Sequence, residues 1–299
     1  MGQLLSRPTA PRARLRELLA SGNGPLVAPG AYDALSARLV EQAGFDAVYM
    51  TGFGTTASLI GRPDVGLLSA TEMVDNARRI VAAVDVPVIA DADTGYGNAI
   101  TVVRTVQSYE QAGVAGLHIE DQVHPKKCGH MSGKAVIDAD EMVGKIRAAV
   151  AARRDPDLVL IARTDAAAVE GLDAAIARAR AYADAGADVL FVEAPTSEDD
   201  IARVADELRG VAPLVFNWAE GGRTPPLPLA RIAELGFGLV LFPIGTLLAA
   251  TAGIRTLLAT LKADGTPAAA LPDLPAFGEF TDLIGLPEVT QLEQRFAGT

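Results

Sequence analysis

Glu41-Gln42-Ala43-Gly44-Phe45-Asp46-Ala47-Val48-Tyr49 is a phrase that this chain repeats. It returns as Glu110-Gln111-Ala112-Gly113-Val114-Ala115-Gly116-Leu117-His118, as Asp184-Ala185-Gly186-Ala187-Asp188-Val189-Leu190, and as Glu234-Leu235-Gly236-Phe237-Gly238-Leu239-Val240. Each copy reads as a helix that stops at a glycine cap and gives way to a short apolar run. That is the second half of a βα unit. Four more apolar runs lie between the copies, at 26–29, 87–90, 158–162 and 213–216. The eight runs are short and apolar on both faces, as strands of a parallel sheet covered by helices must be. Helical patterns separate them at 31–43, 71–84, 99–112, 138–153, 172–185, 197–208 and 228–235.

Eight strand–helix alternations in about 250 residues predict an α/β fold, a (β/α)8 TIM barrel. A doubly wound open sheet is the competing arrangement. Its dinucleotide-binding form is disfavoured, because no G-x-G-x-x-G follows an early strand. The barrel is assigned to residues 1–265 and a C-terminal extension to 266–299. Residues 245–262 read as a long helix, followed by a bridge with Pro267, Pro272 and Pro275. Residues 280–295 read as one amphipathic stretch. A helix beyond a completed barrel has to bury its apolar face elsewhere, and a neighbouring subunit is the expected place.

Composition narrows the partners. Of 299 residues, 37 are Asp or Glu and 26 Lys or Arg, giving a net charge of −11, which argues against nucleic acid. Aromatic residues make up only 5%, so the core must be built from Ala, Val, Leu and Ile. A single cysteine suits a reducing, cytoplasmic compartment. Residues 1–20 carry Arg7, Arg12, Arg14 and Arg16 but no apolar core of a secretory signal. No run of about 18 apolar residues is present to span a membrane.

In a barrel of this kind the chemistry gathers at the C-terminal ends of the strands. After the second strand come Thr51, Gly52 and Phe53, rich in backbone N–H and suited to a carboxylate or phosphate. After the third come Asp91 and Asp93, and after the fourth Glu120 and Asp121. Arg163, Thr164 and Asp165 follow the fifth, Glu193 the sixth, Asn217 and Glu220 the seventh. Acids at three strand ends without matching arginines would repel one another. A hard divalent cation, Mg²⁺ or Mn²⁺, resolves that repulsion with oxygen ligands. Asp91 and Asp93 are read as alternating along their strand to reach one rim. Arg163 can hold a substrate carboxylate through two parallel hydrogen bonds, or form a structural salt bridge to Glu193 or Asp165. His118 shares the face of Glu120, as ligand orienter or as core histidine. Trp218, the only tryptophan, is read as a pocket wall or as packing.

The one thiol lies in Pro125-Lys126-Lys127-Cys128-Gly129-His130. Cationic neighbours lower a thiol's pKa and raise its reactivity. An incidental cysteine in a basic surface loop is the plain alternative. Zinc on Cys128, His130 and His124 would lack a fourth soft ligand.

These residues resemble the isocitrate lyase / phosphoenolpyruvate mutase superfamily, in its C–C lyase branch. The resemblance is carried by Asp91-Ala92-Asp93-Thr94-Gly95-Tyr96-Gly97, His118-Ile119-Glu120-Asp121-Gln122, Lys126-Lys127-Cys128-Gly129-His130, Ala162-Arg163-Thr164-Asp165-Ala166, Val192-Glu193-Ala194 and Asn217-Trp218-Ala219-Glu220-Gly221-Gly222. It covers roughly residues 26–266, and 280–296 is similar to the superfamily's C-terminal helix. It implies a homotetramer with that helix swapped between subunits. It implies Mg²⁺ on Asp91, Asp93 and Glu120, directly or through water, with Asp64 as an outer acid. It implies a substrate carboxylate held at Thr51–Phe53 and Arg163, and a mobile Lys126–His130 loop that closes over the site. His118, Asn217, Trp218 and Glu220 join the implied substrate pocket. Trp218 departs from the smaller residue usual there.

The implied reaction is cleavage of a 2-hydroxy di- or tricarboxylate of the 2-alkylmalate or 2-methylisocitrate type. The products are a 2-oxo acid such as pyruvate and a carboxylic acid. Cys128 is the expected proton donor, Lys126 and His130 offset developing charge, and Arg163 and Glu193 complete the catalytic set. A metal-bound water or Tyr49 is the candidate first base. Oxaloacetate hydrolysis or decarboxylation on the same scaffold is the alternative. Phosphorus–carbon chemistry is disfavoured by the cysteine, which that branch lacks.

Overall fold

A computed structural model describes Leu5 and residues 10–297 of the chain, so Arg7 lies outside the described residues. Eight parallel strands run in the order β6-β5-β4-β3-β2-β1-β8-β7. They are β1 (Leu26–Ala31), β2 (Val48–Met50), β3 (Val88–Asp91), β4 (Gly116–Glu120), β5 (Val159–Thr164), β6 (Val189–Val192), β7 (Val215–Asn217) and β8 (Leu239–Phe242). A bridge between Leu190 and Leu214 brings β6 to the foot of β7 and nearly closes the barrel. The helices are α1 (Pro11–Ala20), α2 (Ala34–Gln42), α3 (Gly52–Ile60), α4 (Ala70–Ala83), α5 (Ala99–Ala112), α6 (Ala139–Ala152), α7 (Leu172–Asp184), α8 (Glu198–Glu207), α9 (Leu229–Leu235), α10 (Gly245–Asp264), α11 (Phe277–Leu283) and α12 (Leu286–Phe296). The (β/α)8 architecture expected from the repeats is therefore the one adopted. The repeat's glycines explain the regular helix ends. Gly44, Gly113, Gly186 and Gly236 all have φ between 88° and 104°, a region where a side chain would be strained.

Alternation along each strand divides the core into two layers. Tyr49, Ile89, Val159, Ile161, Phe191 and Leu239 fill the barrel interior. Met50, Ala90, Leu117, Ile119, Leu160 and Leu190 face the helices. The interior layer is stoppered from below by α1, which the sequence did not announce. Its Leu15 is fully buried among the interior residues. Arg12 holds the helix in place through the carbonyls of Val114 at 3.0 Å and Glu110 at 2.5 Å, and Arg16 pairs with Asp188 at 2.9 Å. With the lower end closed, the open upper rim is the place for a site.

Two local expectations are corrected. Thr51–Phe53 is not a loop but the start of α3, with the Thr51 hydroxyl capping it by accepting from the Gly54 amide at 3.3 Å. The stretch 280–295 is two helices, because Gly285 turns left-handed at φ 94° and Pro287 starts a new helix. The long helix expected after the last barrel strand is present as α10, and it buries none of its residues. No helix among the described residues is long and apolar enough to cross a membrane.

Candidate active site

The upper rim encloses a cavity of about 190 Å³. Asp64, Asp91, Cys128, Arg163 and Glu193 line one side of it, with Tyr49, Thr51 and Phe53 from the end of β2. Asn217, Glu220 and the Ala219–Gly222 turn line another side, and Pro243 and Ile244 after β8 complete the wall. A larger cleft of about 620 Å³ lies on the barrel's flank between α4 and α5 and carries none of the strand-end acids.

The metal-type acids reach this rim by different routes. Asp91 is the last residue of β3, and its carboxylate accepts from the Gly52 amide at 3.2 Å and the Asp93 amide at 2.9 Å. The α3 N-terminus, expected to serve a substrate carboxylate, thus gives its first amide to Asp91. Burial opposes ionisation of Asp91, but His118, Lys126 and Arg163 outweigh it and lower its pKa. Asp93 lies beyond the strand, in a left-handed turn at φ 47°. Strand alternation does not bring it to the rim; that turn does. Left-handed backbone at a non-glycine residue is strained and tends to mark functional sites. Burial raises Asp93 to about 6, against Lys126 and with the help of Asp91 and Asp64.

Two of the buried cations, Lys126 and Arg163, are already engaged with acids of the site. Lys126 Nζ lies 2.7 Å from Asp64 and 2.9 Å from Asp93. Arg163 forks onto Asp165 at 2.9 and 3.1 Å, stands 3.2 Å from Glu120 and reaches Glu193 at 3.9 Å. The expectation that the acids lack an arginine is therefore wrong: Arg163 serves Glu120 and Glu193 among them, besides pairing with Asp165. Glu193 accepts from both His130, at 3.0 Å, and Asn217, at 3.2 Å. Burial works against it, yet Arg163 and His130 hold Glu193 well below the usual carboxylate range.

His118 points inward as expected. Its Nε2 meets the Tyr49 hydroxyl at 2.9 Å, and burial lowers its pKa to about 4, so it is neutral. Burial, with Asp91 adding to it, raises Tyr49 well above its ordinary value, so Tyr49 is no standing base. Cys128 is half-buried, and burial lifts its thiol to about 11. The lysines expected to acidify it are turned elsewhere. Lys126 faces the acids, and Lys127 donates to the Gly133 carbonyl at 2.8 Å. Trp218 is not a pocket wall. It follows the inward Asn217, so alternation turns it outward, where it packs on Phe242 and donates to the Leu227 carbonyl at 2.9 Å. Glu220 lines the cavity while capping α10, accepting from Ile244 at 3.0 Å and Gly245 at 2.8 Å. His124 lines the flank cleft rather than joining Cys128 and His130, so the zinc grouping does not assemble.

Residues 15–262 match the family described as phosphoenolpyruvate phosphomutase. The chain belongs to this family. Within its superfamily, the chain is 48% identical over 285 residues to 2,3-dimethylmalate lyase of Eubacterium barkeri, spanning 95% of this chain and 98% of that one. The structure of oxaloacetate acetylhydrolase with the inhibitor 3,3-difluorooxalacetate superposes with a TM-score of 0.92 at 39% identity, covering 98% and 99% of the two chains. A phosphonopyruvate hydrolase complex with oxalate and Mg²⁺ superposes at 0.89 with 34% identity, covering 97% and 100%.

The family's donor set can be tested on this chain's own atoms. Both carboxylate oxygens of Glu120 are buried without a hydrogen bond, and burial raises its pKa well above the ordinary value. Among the described residues no three acidic, histidine or cysteine side chains converge tightly enough to hold an ion directly. Mg²⁺ keeps several waters and needs only one or two protein carboxylates. Buried, incompletely satisfied oxygens within such reach fit that hard, hydrated ion. Lys134 was missed in the sequence, and Asp121 was named there only by its place at a strand end. Lys134, only 2% exposed, pairs with Asp165 at 2.7 Å. Asp121 accepts from Thr164 at 2.7 Å, Tyr182 at 2.8 Å and Arg178 at 3.2 Å, bracing the ends of β4 and β5.

Proposed function

We propose that the protein is a Mg²⁺-dependent carbon–carbon lyase that cleaves a 2-hydroxy dicarboxylate of the 2-alkylmalate type to a 2-oxo acid and a carboxylic acid. The observation that carries this reading is a single protonated thiol, Cys128, lining one cavity with Asp91, Arg163 and Glu193. Asp91, Asp93 and Glu120 would hold the ion, directly or through water, with Asp64 behind them. Bound there, Mg²⁺ supplies Lewis-acid polarisation of the substrate's oxygens.

The chain's own groups then divide the work. Arg163 and the α3 N-terminus at Thr51–Phe53 receive a carboxylate. The 2-hydroxyl loses its proton, the C2–C3 bond breaks, and the electron pair passes to C3 and its carboxylate. The Cys128 S–H protonates C3, and the thiolate left on Cys128 takes up, through solvent, the proton that the hydroxyl released. Lys126 and His130 offset the transient negative charge. Tyr49, hydrogen-bonded to neutral His118, orients the substrate oxygen rather than removing its proton.

Charge selects among acids. Arg163 and His130 line the cavity, and Phe53, Ala219, Pro243 and Ile244 add an apolar wall beside the carboxylate of Glu220. That wall suits an alkyl group better than the third carboxylate of a 2-methylisocitrate. Oxaloacetate hydrolysis is the second reading, favoured by the 0.92 superposition on oxaloacetate acetylhydrolase. A product panel with Mg²⁺ over about a dozen di- and tricarboxylates separates them. Pyruvate plus a second acid supports the lyase, and oxalate plus acetate supports the hydrolase. Turnover persisting in EDTA would remove the metal from the proposal.

The chain is further proposed to act as a cytoplasmic homotetramer whose C-terminal arm lies on a neighbouring subunit. Its support is the uncovered apolar face of that arm.

A further inference from the structure

The thiol loop leaves the barrel after Glu120 and returns to it. Its base is fixed by the Gln122–Val136 bridge and by the Val123 amide donating to Ala135 at 2.8 Å. Between these points the tip passes over the cavity. Gly129 packs so tightly there that a Cβ would meet Arg163 and Glu193. Lys134 stands near the fixed base, and its ammonium reaches back under the tip. It donates to the Gly129 carbonyl and pairs with Asp165 at 2.7 Å, in surroundings that leave it 2% exposed. One buried cation thus joins the residue next to Cys128 to the carboxylate that also aligns Arg163.

We infer that Lys134 is a positioning residue, a latch that holds the Cys128 loop over the cavity by bridging the Gly129 carbonyl and Asp165. The loop's tip cannot lift without separating that carbonyl from the ammonium. A buried donor–acceptor pair is costly to break because both groups lose partners away from water. Lys127 offers a contrast on the same loop. Its ammonium meets only the exposed Gly133 carbonyl and bridges nothing to the barrel. The two lysines carry equal charge near Cys128, so a latch and a general electrostatic effect make different predictions. The proposed catalytic role of Lys134 rests on the lyase reading, but its hold on the loop does not.

The test uses the chain's single thiol as reporter. Cys128 alkylation by iodoacetamide is timed at fixed pH without substrate, in the full chain and its variants. Lys134→Met is expected to speed alkylation at least tenfold, Lys134→Gln by less, and Lys134→Arg to restore a near wild-type rate. Lys127→Met is expected to leave the rate within twofold. With substrate, Lys134→Met should lower kcat more than it changes KM. Folded Lys134→Met and Lys134→Gln proteins with alkylation within twofold of wild type would overturn the latch. So would equal acceleration by Lys127→Met. Failure of both Lys134 variants to fold would assign the residue to stability and equally overturn it. Loss of activity in every assay with the alkylation pattern intact would instead count against the lyase reading.

Discussion

The surroundings of Cys128 favour its protonated form. Burial is the largest influence on it, and with Asp64 and Glu193 it outweighs Arg163 and the His130 amide, so the thiol stands at about 11. Alkylation needs the thiolate. The rate of modification is therefore expected to rise about tenfold per pH unit from 7 to 10 without levelling, and a plateau near 8 would contradict the buried-thiol geometry. The linkage has a definite sign. A folded-state value above the ordinary 9.0 gives stability that is complete below pH 9 and fades as pH climbs through about 11. Cys128→Ser is expected to lower kcat about 100-fold or more, the usual scale for a lost general acid. Calorimetric Mg²⁺ affinity should stay near wild type, because the thiol is not among the proposed ligands. Wild-type turnover in this variant would take Cys128 out of the chemistry. The basic segment around Cys128 suggested a lowered thiol pKa, but proximity along the chain does not say where Lys126 and Lys127 point, and burial shifts the thiol the other way.

At the scale of elements, the close approach of α3 to β3 decides how the acids are held. A Cβ on Gly52 would run into the Asp91 carboxylate. Gly52→Ala is expected to displace that carboxylate, abolish Mg²⁺-dependent turnover and weaken Mg²⁺ binding while circular dichroism stays unchanged. Normal metal affinity would show that Asp91 does not depend on α3. Leu15 is the matching case at the lower end of the barrel. Its truncation to Ala leaves a cavity in the closed interior and should cost about 2–5 kcal/mol, read as a lower denaturation midpoint. The strands and barrel helices were legible because each repeat carries its own glycine stop and apolar run. The α1 stopper was not, since a ten-residue helix with a single fully buried leucine leaves little periodic signal. The route of Asp93 to the rim was misread, and Trp218 was left open between pocket wall and packing, for a related reason. Strand alternation was extended past Asp91 to Asp93, where the chain had already turned left-handed. It was not carried from Asn217 to Trp218, where it still governs the side chain. The site acids themselves were legible from their positions at strand ends. Arg163 was legible with its neighbour Asp165, two residues on, whereas Lys134 was not, because its partner Asp165 lies 31 residues away.

For the whole molecule, the eighth helix raises a question that no single barrel answers. In a closed barrel the helix after β8 covers the wall between α9 and α2. Here α10 buries none of its residues. Leu248, Ile254, Leu258 and Leu261 on α10 stay exposed, as do Phe277, Phe280, Ile284 and Val289 further along the arm. Exposed leucines also remain on the helices beside the gap, Leu35 and Leu39 on α2 and Leu229 on α9. Arg38 touches the arm at the Leu283 carbonyl at 3.4 Å, a thin hold for so much apolar surface. Two unsatisfied faces on one chain can cover each other when copies exchange arms, and a two-fold exchange satisfies both at once. Removing α11 and α12 by ending the chain at Ala263 takes away part of one face and leaves the barrel whole. Light scattering after size exclusion should then show a smaller assembly than the full chain forms, with the truncated protein still folded by circular dichroism. An assembly of unchanged size would place the subunit contact outside these two helices and remove the arm from the oligomer.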